Sequence, residues 1–293
     1  MGKIKGWLVT NAFLNSLDKF KILNQRLLNS AVKKDIDLEL FSNDALLVSS
    51  DGLDLSFSKR EMPDFVLFMD KDIRLAQAME QKGLRVFNSS KAIEICDDKS
   101  LTMLAVAGHK IKTPKTMLSP KTFCGVGYSN TDFLTEVGHS LGFPMVVKNC
   151  FGSFGLQVFL AKSQHELVKI VKEGEGPFLF QEFISSSYGR DLRINVVGNE
   201  VVASVMRINE NDFRANVTNG GKMFPYEPTS DECKLALKVC EIIGTDFAGV
   251  DLLFGQDEIV FCEINSNAHI EKIFECTGID VSEKMFEHIL RSI

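Results

Sequence analysis

Apolar and polar positions follow two rhythms in the first hundred residues. Residues 4–9 read as a buried strand, and 19–34 place Phe20, Leu23, Leu27 and Leu28 at helical spacing. Further strands are predicted over 38–41, 64–69 and 85–87. A helix over 73–81 stops at Gly83, and another starts at Ser89. The order β-α-β-β-α-β-α predicts a small, largely parallel α/β domain over 1–98. The polar run Asp97-Asp98-Lys99-Ser100 closes it.

Beyond that break the texture changes. A helix over 101–107 leads to Thr113-Pro114, where the proline ends regular helix. Three hairpins then follow. Strands over 144–148 and 156–161 flank Phe151-Gly152-Ser153-Phe154-Gly155. Strands over 192–197 and 201–206 flank Gly198-Asn199, a two-residue turn signature. Strands over 247–254 and 259–264 flank Gly255-Gln256-Asp257-Glu258. Helices are predicted over 131–141, 164–172, 230–243 and 281–290. The remainder therefore divides into two α+β units, 99–185 and 186–293.

Charge and composition narrow the function. Lys and Arg total 33 against 39 Asp and Glu, a formal charge of −6, which disfavours a general nucleic-acid binder. The 45% hydrophobic content excludes low-complexity disorder. No apolar run reaches the roughly 18–20 residues that span a bilayer, so no membrane partner is expected. The first seven residues lack a secretory apolar region. Seven cysteines are scattered without a CxxC pair, so reduced thiols and a cytoplasmic location are expected.

The chemistry is carried by interrupted strands. Neither GxxxxGK[ST] nor a strand-borne GxGxxG is present. In the 151–155 loop, two glycines let backbone N–H groups turn toward an anion, and Lys148 at the end of an apolar strand supplies a point charge. Taken alone, that loop also reads as a plain hairpin turn. In Phe178-Leu179-Phe180-Gln181-Glu182-Phe183-Ile184 a strand end could pair with an adenine edge. Arg207 and Phe213-Arg214-Ala215-Asn216 suit phosphate or carboxylate recognition, as does the polar face of Asp191-Leu192-Arg193. A simple register about Gly198-Asn199 puts Arg207 on the apolar face with Leu192, so a functional Arg207 needs a bulge or a position beyond the sheet edge. Asp251, Glu263 and Asn265 interrupt two core-like strands with oxygen ligands only, which suits Mg²⁺ or Mn²⁺. They share one face if Asp251 opposes Glu263, which predicts an odd-length loop cored by Gln256-Asp257-Glu258. Mutual repulsion should then raise the pKa of at least one carboxyl.

In order and spacing these segments resemble the ATP-grasp superfamily, most closely its RimK-type carboxylate–amine ligases. The match runs from about Asp98 to Ile279 and includes Asp98-Lys99, Leu141-Gly142-Phe143-Pro144, Gln181-Glu182-Phe183-Ile184, Gly249-Val250-Asp251 and Glu263-Ile264-Asn265. Phe213–Asn216 followed by Gly220-Gly221 points to the RimK branch. The resemblance implies an ATP-grasp fold: an N-terminal parallel α/β domain, then two α+β subdomains with ATP between them. It implies that Lys99 and Lys148 contact ATP phosphates under a lid containing Gly152, Ser153 and Gly155. By the same resemblance Glu182 and Phe183 hold adenine, Asp191 holds ribose, and Arg214 and Asn216 lie near the phosphates. Asp251, Glu263 and Asn265 would hold two Mg²⁺, and Arg193 and Arg207 would face the acyl phosphate or the substrate carboxylate.

The implied reaction joins a carboxylate or peptide to an amino acid, glutamate by default, through an acyl phosphate. The implied enzyme is compatible with a homo-oligomer. Many relatives carry Pro-Gly shortly after the metal-binding asparagine. Here Asn265-Ser266-Asn267-Ala268-His269 stands instead, and His269 is either an acceptor-side group or a structural one. The competing expectations are a D-Ala–D-Ala-type or carboxylase-type ATP-grasp enzyme, and a nucleotide-binding regulatory module without turnover.

Overall fold

The computed structural model describes residues 2–14, 16–49, 52–53, 61–123, 125–152 and 155–293. Strands β1 (Ile4–Thr10) and β2 (Ile36–Ser42) precede a short hairpin, β3 (Val48–Ser49) with β4 (Gly52–Leu53). Strands β5 (Phe65–Met69) and β6 (Val86–Phe87) follow. β1, β2, β5 and β6 form a parallel sheet of order β2-β1-β5-β6. Helix α1 (Asp18–Lys33) joins β1 to β2, α2 (Ile73–Gln81) joins β5 to β6, and α3 (Ser90–Asp97) follows β6.

Both faces of this sheet are covered, as parallel sheets require. Leu8, Phe65 and Leu67 pack with Leu23, Leu27 and Ala31 of α1, while Trp7, Val66 and Phe68 pack with Leu75 and Met79 of α2. That is why β5 reads as unbroken apolar sequence. The predicted polar break is a junction of two helices. Asp98 caps α4 (Lys99–Val106), accepting from the backbone N–H groups of Ser100 (2.8 Å) and Leu101 (3.4 Å), so α4 starts two residues earlier than expected.

The second sheet is antiparallel, of order β7-β10-β8-β9. Its strands are β7 (Thr116–Leu118), β8 (Met145–Asn149), β9 (Val158–Ala161) and β10 (Phe178–Glu182). Helices α5 (Phe133–Leu141) and α6 (Gln164–Glu173) cover it through Leu134, Leu167, Phe178 and Phe180. The third sheet, also antiparallel, runs β13-β12-β11-β14-β15. It comprises β11 (Arg190–Val197), β12 (Glu200–Ile208), β13 (Lys222–Pro225), β14 (Phe247–Phe254) and β15 (Ile259–Asn265). α7 (Ser230–Ile243) packs Ala236, Val239 and Cys240 on Leu192, Ile194, Val250 and Leu252. Its start is fixed by a capping box between Thr229 and Glu232. α8 (Glu271–Thr277) and α9 (Val281–Ser292) return to the N-terminal domain. The edge strands β7 and β13 and the short α8 escaped the sequence reading. Each is too short to show a period.

Two bulges set the face of the third sheet. Val197 pairs with Glu200 about the expected Gly198-Asn199 turn. Val202 is then an extra residue, so Asp191 comes to oppose Arg207. In the next hairpin Phe254 pairs with Ile259, leaving a four-residue loop in which the Gly255 N–H donates to Glu258 O at 3.0 Å. The expected odd-length loop is therefore incorrect. The register changes at Cys262, the extra residue of a bulge, and Asp251 opposes Glu263 by that route.

The six described cysteines are free. Among the described residues no helix is long and apolar enough to cross a membrane.

α1 is tied to α8 and α9 by charge as well as by packing. Arg26 donates to Glu271 (2.5 and 2.8 Å) and to Asp280 (3.0 Å), and its guanidinium lies 3.8 Å from the Phe274 ring centroid. Lys34 reaches Glu287 at 2.8 Å. Hydrogen bonds from Lys34, then Lys284, hold the Glu287 carboxyl down at about 2. A depressed carboxyl stabilises the fold fully above its unfolded value, about 4.3, and the contribution is lost as pH falls toward 2. Glu287→Gln should therefore destabilise by no more than about 1 kcal/mol at neutral pH, because the pair is partly exposed. It should also flatten the acid limb of thermal unfolding between about pH 4.5 and 2. An unchanged acid limb would remove this pair from the seam.

Candidate functional site

The three sheets meet at a cavity of about 460 Å³. Ten of the candidate site residues named from the sequence line it: Lys99, Gly152, Gly155, Arg193, Arg207, Asn216, Asp251, Glu263, Asn265 and His269. Lys148, Glu182, Phe183, Asp191 and Arg214 do not line it. Ser153 lies outside the described residues.

The floor is the polar face exposed by the two bulges. Arg193 opposes Asp251 across β11 and β14, and its Nη2 donates to Asp251 Oδ2 at 2.7 Å while Nε donates to Oδ1. Arg207 donates to both oxygens of Asp191 (2.6 and 2.7 Å) and stands 3.0 Å from Asp251 Oδ2. The two carboxylates therefore share two guanidinium groups unequally. Burial pushes Asp251 upward, but the charges of Arg193 and Arg207 outweigh it and hold the carboxyl below its ordinary value. Asp191 is raised by burial, with the single guanidinium of Arg207 only partly offsetting it. The expected rise from carboxylate repulsion is thus not what Asp251 shows. Asp191, read as a ribose ligand, has its carboxylate engaged by Arg207.

Glu263 is free of such pairing among the described residues. Lys99 Nζ lies 3.9 Å from its Oε1, while donating to Gly152 O at 2.9 Å. Asn265 sits two residues on, opposite Gly249, on the same face. Among the described residues no three His, Cys, Asp or Glu side chains converge to metal-binding distance. The candidate set is two carboxylates and an amide. Its donors are all oxygen and it faces the cavity, which fits a hard divalent cation. Nearby Asn195 Nδ2 is buried with no hydrogen-bond partner.

Lys148 is buried just behind this face. Its Nζ donates to Cys262 Sγ, the bulge residue, at 3.6 Å, and no carboxylate pairs with it among the described residues. A buried ammonium with only a sulfur acceptor is costly unless an anion joins it.

The glycine loop is held from the connection between β12 and β13. Arg214 Nη1 donates to Gly155 O (2.9 Å) and Val158 O (3.3 Å), and its Nε and Nη2 hold Asp212 (3.0 and 2.7 Å). Arg214 is thus a latch on the loop. Gly155 has φ +72°, and a Cβ there would meet Asn216 Oδ1 at 2.8 Å and Asn219 Nδ2 at 3.0 Å. Gly155→Val should therefore slow turnover more than it lowers the melting temperature, since the strain falls at the cavity lining rather than in a hydrophobic core. Cooperative unfolding at a much lower temperature would make Gly155 structural instead.

Glu182 is exposed at the end of β10, where its Oε2 accepts from the Lys115 N–H at 3.1 Å. Phe183 packs edge-on against Tyr188 and Phe213, both at 6.2 Å.

Of the remaining polar lining, only His269 was named as a candidate from the sequence. Asn11 and Asp70 stand just past the carboxyl ends of β1 and β5. The signal was there: in open parallel sheets, ligands bind beyond those ends. Lys19 and Lys272 also line the cavity, with His269 between the sheet and α8. Both His269 ring nitrogens are buried without a hydrogen-bond partner, and burial, then Lys19, keeps the ring below its ordinary pKa and hence neutral at pH 7.

Comparison with known proteins identifies the family and the fold. A RimK-like ATP-grasp domain matches residues 96–289. An uncharacterised protein of Mycoplasma pneumoniae is 35% identical over 267 residues, covering 89% of this chain and 90% of that protein. β-Citrylglutamate synthase B of Danio rerio is 33% identical over 225 residues, covering 75% of this chain but only 54% of the relative, so the chain spans about half its length. In fold, a RimK domain ATP-grasp protein of Sphaerobacter thermophilus superposes with a TM-score of 0.75 at 17% identity, over 97% of this chain and 98% of that one.

Proposed function

Because the chain belongs to the RimK-like ATP-grasp family, we propose that it uses ATP to join a small carboxylic acid to the amino group of glutamate. The observation that carries this reading is the polar floor. Two bulges bring Arg193, Arg207, Asp251 and Glu263 to one face of a cavity that also holds Lys99. Such a floor can neutralise transferring phosphate and orient a carboxylate, which is most of what phosphoryl transfer asks of a protein.

In this reading Lys148 and Lys99 meet the phosphates, the 152–155 loop with Asn216 covers them, and Glu182 and Phe183 hold adenine. Arg193 orients the acid substrate, and Arg207 holds Asp251 in place with Asp191 as its anchor. Asp251, Glu263 and Asn265 are the residues that would hold Mg²⁺, which when bound neutralises phosphate charge. The acid carboxylate attacks the terminal phosphate to give an acyl phosphate and ADP, and the amine then displaces phosphate. Closure of the loop excludes water from the acyl phosphate. Glutamate is assigned because the synthase relative is named for a glutamate conjugate.

The test is ADP release with Mg²⁺ and ATP over a grid of acids and amines. The expected result is release that requires one acid together with glutamate. Release that ignores both, or no release with any pair, contradicts the assignment.

A further inference from the structure

The cavity that holds the arginines is also lined by a carboxylate that the roles above leave unused. Asp70 is 5% exposed and lines the cavity. Asn11 Nδ2 donates to its two oxygens (3.1 and 3.3 Å), and the Lys71 N–H donates to Oδ1 at 2.7 Å. Among the described residues no cationic side chain forms an ion pair with it. Lys71 Nζ turns away to Asp97 at 2.5 Å. A buried carboxylate held only by neutral donors is costly unless a cation completes it.

On the ligase reading above, we propose that Asp70 is a catalytic residue, binding the ammonium group of the amine substrate and accepting its proton before attack. The ammonium passes one proton to a carboxylate oxygen of Asp70. The freed nitrogen lone pair forms the C–N bond at the acyl carbon. The C–O bond to phosphate breaks, its electron pair leaves with the phosphate, and the second N–H proton departs on that phosphate. Asp70 then returns its proton to solvent. Lys19 and Lys272 suit the carboxylates of an acidic amine substrate.

The groups around Asp70 agree with this role. Burial raises its pKa first, the Lys71 N–H and Asn11 oppose that, and the charges of Asp72 and Asp97 add to the rise. Lys19, Lys99, Lys272 and neutral His269 share the cavity with it. A carboxylate moved toward neutrality is a better base for an ammonium than an exposed one.

Hydroxylamine separates this role from the rest of the reaction, because it is largely unprotonated at neutral pH and needs no base. The acid is whichever of citrate, N-acetylaspartate or glutamate gives the wild-type enzyme most hydroxamate. Asp70→Asn should lose about a hundredfold or more in amide formation with glutamate. Its hydroxamate formation should stay within about threefold of wild type, and its residual rate with glutamate should climb as pH rises toward the pKa of the free amine. Equal loss with both nucleophiles, or full activity with glutamate, overturns the proposal. If the wild-type enzyme forms neither hydroxamate nor amide, the ligase reading itself falls and takes this proposal with it. Should Asp70→Asn fail to fold, Asn11→Ala decides. Loss of its donor should move the acid limb of kcat/KM upward with glutamate but not with hydroxylamine, and an unmoved limb overturns the proposal.

Discussion

Arg207→Ala should destabilise the protein by about 3–5 kcal/mol, the cost of leaving buried carboxylates without their cation. Arg207 is 4% exposed and is the only cation that pairs with Asp191 among the described residues. Asp251 keeps Arg193, so the damage concentrates on Asp191. In the variant the Asp191 carboxyl should rise further, and a carboxyl whose folded pKa is raised favours the fold as pH falls. The loss relative to wild type should therefore narrow toward about pH 4. Adding Asp191→Leu should recover part of the stability, because it removes the stranded charge. Urea unfolding of the single and double variants checks both statements. A single variant within about 1 kcal/mol of wild type would mean that the cluster is not holding the floor together.

Lys148 predicts the opposite pairing of effects. Lys148→Met should weaken ATP use by about tenfold to a hundredfold, as expected when a charge-assisted contact worth roughly 1.5–3 kcal/mol is removed. It should leave the melting temperature unchanged or raise it. The side chain is buried with only Cys262 Sγ as acceptor, so the variant removes an unpaired ammonium and keeps the volume filled. Titration with a non-hydrolysable ATP analogue and thermal unfolding measure the two effects separately. Normal ATP turnover in the variant would end the phosphate role, and a large fall in melting temperature would make Lys148 structural.

The elements that depend on local chemistry were legible before the structure. α2 and α7 match their predicted spans, α2 through the Gly83 stop read from the sequence; the structure adds the Asp72 cap, the Thr229–Glu232 box and Gly244 as the physical reasons. The Gly198-Asn199 turn is where expected, since two-residue hairpins have few solutions. The bulges were legible only as a need. Arg207 requires an extra residue in its hairpin or a place beyond the sheet edge, and the residue used, Val202, carries no mark. In the last hairpin the parity was right and its source was not. A four-residue loop plus a bulge at Cys262 gives the same face as an odd loop. The ion pairs were least visible. Asp191 and Arg207 are far enough apart in sequence that only the bulged register shows they meet, and with it the reading of Asp191 moves from ribose to Arg207. Asp70 carries no mark of its own: it directly follows Met69, the last residue of β5, and only the fold shows that this end of the sheet faces the cavity.

The central claim is that an acid is activated by phosphate and then captured by an amine on one floor. A heavy-oxygen label placed in the carboxylate of the acid substrate follows that chemistry directly. One labelled oxygen per amide formed is expected in the inorganic phosphate, with ADP as the nucleotide released. Phosphate free of label, or label found in AMP, would contradict it.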